Sequence, residues 1–320
     1  MKTGVKNMRK IRLGGALEVS AVGLGCMRME DMEAADVRKV IETSCEAGIT
    51  FFDHADCYGF GKSESVFSEA MEAAGIKRED VVLQSKCGIR KGRGRYPFCK
   101  QYYDFSKAHI IEAADGILSR LKTDYLDILL LHRPDTLVEP EEVAEAFDIL
   151  ASKGKVRYFG VSNESPALVK LLQKGLNQRL IVNQLQFSPA HAWMVNQQIY
   201  MNMNEEQSVG RSCEILEYCR EKNITIQAWS PFQHGFFEGT FLGNDRYQDL
   251  NLVLNDLAKE KGVTPEAVVI AWIMRHPATI QPIIGTMNPQ RIQNIAAAAE
   301  MEITREEWYE IYSAAGNVLP

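Results

Sequence analysis

Short β-branched and apolar runs alternate along the chain with longer stretches in which apolar residues recur every three or four positions. The first pattern marks strands and the second marks amphipathic helices. Read this way, a helix over 37–47 is stopped by Gly48 and followed by a strand over 49–53; a helix over 65–74 is closed by Gly75 and followed by a strand over 81–86, VVLQSK. Ser106 caps a helix to about 121. The run YLDILLLH over 125–132 is almost continuously apolar, as a parallel strand buried on both faces must be. Pro140 opens a helix to 152, with a strand over 156–161 behind it; a helix over 166–174 precedes a strand over 180–184. A helix over 214–222 leads to a strand over 224–229, helices over 252–261 and 265–275 lead to a strand over 280–284, and a helix follows over 289–299.

Such regular alternation predicts an α/β protein whose parallel sheet is covered by helices. It continues without linker, repeat or low-complexity tract, which favours a single-domain (β/α)8 TIM barrel over 1–320. The competing fold is a doubly wound sheet with a dinucleotide fingerprint. Its best candidate, Gly23-Leu24-Gly25-Cys26-Met27-Arg28, lacks the third glycine and a helix directly behind it. The segment 188–211 has no clear periodicity, and a loop of that length is expected to be functional or mobile.

Composition narrows the function classes. With 46% hydrophobic and 24% charged residues, the 320-residue chain can bury a large core, and a net charge of −6 argues against a general nucleic-acid-binding surface. The one short basic run, Arg90-Lys91-Gly92-Arg93-Gly94-Arg95, reads as a solvated loop. Seven cysteines in no regular framework, without a CxxC pair, suggest neither a disulfide scaffold nor a structural metal. No signal peptide and no membrane span are visible, so a cytoplasmic protein with no membrane partner is expected.

In a TIM barrel the active site lies at the carboxyl ends of the strands. Three strands end on polar residues there: Asp53 after ITFF, Lys86 after VVLQS and His132 after YLDILLL, with Tyr58 just beyond Asp53 in DHADCYG. Each alone has an ordinary structural reading, as a turn cap, a solvated lysine, a core histidine or a packed ring. Together they form one plausible cluster. A metal-dependent hydrolase assembled from His54, Asp56 and His132 has no supporting spacing, so no metal is expected.

At these residues the sequence resembles the aldo-keto reductases over 13–299, through FFDHADCYG, LQSKCG, TDYLDILLLHRPD, KVRYFGVSN, IVNQ and AWSPF; the LHRPD and GKVRYFGVSN segments look most like a bacterial oxidoreductase subgroup. The resemblance implies hydride transfer from a nicotinamide to an aldehyde or ketone, with Tyr58 as general acid. Lys86 would lower the phenol pKa, Asp53 would orient the lysine and His132 would hold the carbonyl oxygen. It also implies cofactor contacts. Ser162, Asn163 and Gln184 match the carboxamide site, Trp229 a ring-stacking position, and Ser230, Pro231 and Phe232 the pyrophosphate loop. Gly25 and Cys26 would lie near the nicotinamide, with Gly285, Thr286, Arg291 and Asn294 at the adenosine phosphate. Many members carry a lysine where Gly285 stands, but Arg291 suits a 2′-phosphate, so NADP(H) is expected, with NAD(H) the alternative. A monomer or weak oligomer is expected, because many relatives are monomers. A small carbonyl compound is the expected substrate, and a cofactor-binding regulatory subunit, like those of potassium channels, is the alternative function. Cys57 and Cys87 adjoin Tyr58 and Lys86, and oxidative control there competes with simple packing. Loops 90–103, 191–211 and 234–248, with Tyr96, Phe98, Trp193, Phe236 and Phe237, are expected to shape the substrate pocket.

Overall fold

The computed structural model describes residues 8–92, 95–204 and 206–320; Arg93 and Gly94 of the basic run lie outside the described residues. Eight parallel strands close into a barrel: β3 (Gly23–Gly25), β4 (Phe51–Asp53), β5 (Val82–Cys87), β8 (Leu126–Leu131), β9 (Val156–Ser162), β10 (Leu180–Gln186), β11 (Thr225–Trp229) and β12 (Gln281–Ile284). Neighbours follow chain order, and β12 pairs with β3 to complete the ring. The expected TIM barrel is therefore the fold. Its walls read as predicted: every residue of β8 is buried, and Asp127 within it is matched by Arg78 at 2.7 Å and Arg157 at 3.1 Å.

Helices α1 (Ala34–Glu46), α2 (Lys62–Ala73), α3 (Lys107–Arg120), α4 (Pro140–Ser152) and α5 (Pro166–Gly175) each link one barrel strand to the next. Proline sits in the first turn of α4 and α5, where its missing N–H costs no helical bond. The side chains of Ser106 and Ser165 accept from the backbone N–H groups of His109 and Leu168, capping α3 and α5.

The structure adds elements that the pattern did not mark. An antiparallel hairpin, β1 (Lys10–Leu13) and β2 (Leu17–Ser20), plugs the amino-terminal mouth of the barrel. Its Leu13 and Val19 pack with Phe51, Ile128, Leu130, Ile181, Val182 and Ile283 in a core cluster separate from the main one. A second hairpin, β6 (Ile89–Lys91) with β7 (Gln101–Tyr103), rises from the loop behind β5. The segment 188–211 is not all loop, since α6 (Trp193–Ile199) occupies part of it; α7 (Ile215–Lys222) then leads into β11.

Behind β11, α8 (Gln248–Lys261) precedes α9 (Pro265–Met274), whose residues 267–273 are all buried, so α9 is apolar on every face. Helix α10 (Pro289–Ala296) follows β12, and α11 (Arg305–Ala314) ends the chain's regular structure. A reciprocal pair holds α11 against α9. Trp272 and Trp308 stack at 4.9 Å, and each indole N–H donates to the other's backbone carbonyl, at 2.9 and 3.1 Å.

Candidate active site

Four residues expected from the sequence converge at the carboxyl ends of β4, β5 and β8. Asp53 is the last residue of β4, Lys86 lies near the end of β5, and His132 follows β8 directly. Lys86 is fully buried, and its ammonium donates to Asp53 Oδ2 at 2.8 Å, to the His54 carbonyl at 2.7 Å and to Tyr58 Oη at 3.2 Å. Burial opposes that charge, but Asp53 and Tyr58 outweigh it and hold the lysine pKa above its ordinary value.

The phenol behaves differently from expectation. Lys86 does favour the phenolate, yet burial is the larger effect and Tyr58 is pushed up to about 12. The expected lowering by Lys86 is thus corrected: desolvation of the phenolate wins, and the hydroxyl carries its proton throughout the neutral range. His132 meets Tyr58 edge-on, with ring centroids 5.9 Å apart. Burial, Lys86, Arg133 and Lys91 hold this imidazole neutral, well below the usual histidine range. Its Nδ1 lies 3.6 Å from Cys57 Sγ. Burial pushes the Cys57 thiol up to about 11 and the Cys87 thiol up as well, and both are buried, so they are poor thiolate nucleophiles.

Beneath this cluster the barrel interior is polar. Gln84 donates from Nε2 to Asp53 Oδ1 at 2.6 Å and to Gln227 Oε1 at 2.8 Å. Gln227 donates to Gln281 Oε1 at 2.8 Å, and Gln281 donates to the Ser20 carbonyl of the plugging hairpin at 2.9 Å. These glutamines are buried, and nothing in the helix or strand pattern distinguished them.

The expected cofactor residues occupy the rim from β9 round to β12. Ser162 Oγ donates to the Gln184 carbonyl at 3.0 Å, Asn163 Nδ2 donates to Ser162 Oγ at 2.7 Å, and Trp229 Nε1 donates to Asn163 Oδ1 at 3.2 Å. Gln184 turns its amide nitrogen inward to Gln227 Oε1 at 3.1 Å, and β10 runs beyond it to Gln186. Asn163 and Ser230 both take left-handed backbone, φ 61° and 52°, which bends the chain sharply off β9 and β11. Ser230 Oγ donates to Gln233 Oε1 at 3.1 Å, while Pro231 and Phe232 continue the loop. Gly25 ends β3. Cys26 is buried with Sγ turned to the Leu24 carbonyl at 3.6 Å, so only its backbone faces the rim.

Past β12, Thr286 Oγ1 accepts from Asn288 N–H, and Asn288 caps α10, which carries Arg291 and Asn294. Arg291 is exposed, 3.9 Å from Glu266, and Asn294 Oδ1 accepts from Gln290. One residue was missed here. Arg28 donates from Nη1 to the Gly285 carbonyl at 2.7 Å and so brings a cation to the position that lacks a lysine. Its place in the rejected glycine fingerprint was the only sequence signal.

The expected pocket aromatics divide. Phe237 stacks on Trp229 at 6.0 Å and Phe236 meets it edge-on at 6.4 Å, at the cluster's mouth. Tyr96 and Phe98 stack on each other in the exposed hairpin loop, and Trp193 packs with His191 and Arg211. Within the described part of the basic run, Arg90 is engaged by His109 and Glu112, and Lys91 Nζ donates to the Cys57 carbonyl. No helix among the described residues is long and apolar enough to cross a membrane.

Known proteins share this arrangement of fold and sequence. The chain is 34% identical over 313 residues to a 6-dehydroglucose reductase of Agrobacterium fabrum, covering 96% of this chain and 98% of that protein. It is 35% identical over 301 residues to the oxidoreductase YdhF of Escherichia coli, covering 93% and 94%. Among solved structures, an aldo/keto reductase from Klebsiella pneumoniae in complex with NADP and acetate superposes with a TM-score of 0.71 at 25% identity, covering 97% of this chain and 96% of that one. The sequence profile of the aldo/keto reductase family matches residues 21–315, and the chain belongs to that family of oxidoreductases.

Proposed function

We propose that this oxidoreductase reduces an aldehyde or ketone to an alcohol with NADPH, Tyr58 delivering the proton to the carbonyl oxygen. The observation that carries the reading is the buried Lys86 ammonium bound to both Asp53 Oδ2 and Tyr58 Oη. When bound, NADPH supplies the hydride to the carbonyl carbon. The chain's residues handle the oxygen. Tyr58 donates its proton, and the phenolate left behind faces the Lys86 ammonium, so the charge that develops is met by a fixed cation. His132 Nδ1 lies 3.6 Å from the Cys57 thiol, and in the tautomer in which the thiol donates, His132 offers Nε2–H to the carbonyl oxygen.

The rim fits the cofactor. Ser162, Asn163 and Gln184 offer amide and hydroxyl groups for a carboxamide, and Trp229 offers a flat ring beside them. Gly25 and Cys26 present backbone next to that ring, and Ser230, Pro231 and Phe232 form the turn over a pyrophosphate. Thr286, Asn294 and the start of α10 suit phosphate, and Arg28 and Arg291 supply cations on either side of Gly285. The same reading has the barrel acting as one domain, monomeric or weakly oligomeric, in the cytoplasm.

The test is NADPH consumption with 4-nitrobenzaldehyde or 9,10-phenanthrenequinone. Tyr58→Phe is expected to lower kcat by about 10²–10⁴-fold while cofactor affinity is kept. Tight cofactor binding without turnover in the native chain would replace catalysis with a binding role.

A further inference from the structure

Four arginines among the described residues have intermediate burial: Arg78, Arg90, Arg120 and Arg133. Three of them are matched by carboxylates, Arg78 by Asp127 at 2.7 Å, Arg90 by Glu112 at 3.6 Å and Arg120 by Glu64 at 2.7 Å. Arg133 differs. It makes no hydrogen bond or ion pair among the described residues, and only the faces of Trp229 and Phe236 attend its guanidinium, at 5.7 and 5.8 Å. An arginine cannot shed its proton to relieve this, and ring faces satisfy its charge without using its five N–H donors. Those donors stand one residue beyond His132, and the charge is felt at both His132 and Tyr58.

The nearby carboxyl does not neutralise it. Glu164 is buried, neither of its oxygens has a hydrogen bond, and burial with Asp135 pushes it up to about 8, so it is largely protonated at pH 7. Asp135 is spent on the backbone N–H groups of Phe105 and Leu137, and Asp53 on Lys86. Among the described residues, Arg133 is therefore a half-desolvated positive charge at this mouth without an anionic partner. The cations proposed for the adenosine phosphate stand elsewhere, behind β3 and β12, whereas the Arg133 guanidinium follows His132 and faces the Trp229 and Phe236 rings.

We propose that Arg133 binds a carboxylate of the substrate, so that the chain's carbonyl substrates are oxo acids. The carbonyl oxygen would lie at Tyr58 and His132, with the carboxylate a few bonds away on the guanidinium edge and the intervening carbons against Phe236. This rests on the carbonyl-reductase reading and adds its substrate class. A planar guanidinium takes a carboxylate through two parallel N–H bonds, and a charge-assisted contact of this kind is worth about 10–100-fold in affinity.

The experiment compares kcat/KM for 4-carboxybenzaldehyde and 4-oxobutanoate with their methyl esters, in the native chain, Arg133→Met and Arg133→Lys. The native chain is expected to favour at least one acid over its ester by about tenfold or more. Arg133→Met should bring that ratio near one through a higher KM for the acid, and Arg133→Lys should restore part of it. The ratio is the readout, so a general loss of activity does not imitate the result. A native ratio at or below one for both pairs, or a preference retained in Arg133→Met, overturns the proposal. Failure of the carbonyl-reductase reading looks different: acids, esters and 4-nitrobenzaldehyde all go unreduced. Carboxylate binding is then read without turnover, by quenching of tryptophan fluorescence with 4-(hydroxymethyl)benzoate. Saturable quenching lost in Arg133→Met supports the site, and its absence in the native chain refutes it.

Discussion

Removing the charge of Asp53 by Asp53→Asn isolates the interaction on which the cluster depends. The Asp53 and Lys86 side chains are 3% and 0% exposed, so solvent cannot replace the lost carboxylate. Breaking a buried pair by removing one partner costs about 3–5 kcal/mol, because the remaining ion is left in a medium that solvates it poorly. For a chain of this size that is a fall in Tm of about 5–7 °C. The sign of the pH dependence changes too. In the native chain the lysine pKa is raised, so its contribution is fully present below the unfolded value and is lost only at high alkaline pH. In Asp53→Asn burial, the largest cause, is opposed only by Tyr58 and is expected to depress it, so the unfolded chain binds the extra proton and stability rises as pH increases from 7 to 10. Urea unfolding followed by far-UV circular dichroism measures both effects. The double variant Asp53→Asn with Lys86→Met removes both charges and should recover about 2 kcal/mol relative to Asp53→Asn. If Asp53→Asn unfolds within about 1 kcal/mol of the native chain, or the double variant is no better than the single one, Asp53 and Lys86 do not form a buried ion pair.

Three further outcomes are expected. Glu164 has its pKa raised to about 8, so its stabilising contribution is complete below the unfolded value and is lost as pH rises through 8. Glu164→Gln should therefore gain on the native chain by up to a few kcal/mol between pH 5 and 9; a difference independent of pH in urea unfolding would count against the buried acid. Arg291→Ala should raise KM for NADPH about tenfold and change that for NADH little. A native KM for NADH equal to or below that for NADPH would remove Arg291 as a 2′-phosphate ligand. With the Cys57 thiol pushed up to about 11, mild peroxide at neutral pH should leave NADPH-dependent turnover unchanged, whereas inactivation reversed by a thiol would restore the idea of oxidative control.

The barrel was legible where a strand that buries both faces is written as an almost continuous apolar run, as in β8, LDILLL. It was not legible at β3, Gly23–Gly25, where side chains are the obstacle. A Cβ on Gly23 would come within 2.8 Å of both Ile283 and Phe51, so the strand that closes the ring is written in glycine and looks like a loop. Helix α11, which the pattern did not mark, carries a local signal in the capping box of Thr304 and Glu307, whereas its anchor, the contact of Trp308 with Trp272 36 positions away, carries none. The site divides in the same way. Asp53, Lys86 and His132 interrupt or end apolar strands and so announce themselves. Arg133 looks like any arginine until it is seen to pair with no carboxylate among the described residues, and Glu164 looks exposed until its burial is known.

The interior glutamines show why a charged cluster is tolerated above an otherwise closed barrel. An amide chain has a direction, and here the direction is set from below. The Ser20 carbonyl can only accept, so Gln281 must offer it an N–H; Gln281 Oε1 then accepts from Gln227, and Gln227 Oε1 accepts from Gln84. Gln84 consequently presents its NH₂ group, not its carbonyl, to Asp53. That end suits an ionised carboxylate, whose second oxygen is taken by Lys86. The arrangement leaves Gln84 Oε1 buried without a partner, a cost of about 1–3 kcal/mol. Such a cost is small beside that of leaving Asp53 with a single hydrogen-bonding partner in the same surroundings. The hairpin that plugs the barrel thus reaches the Asp53–Lys86 pair at the opposite mouth, by fixing which end of an amide the carboxylate meets.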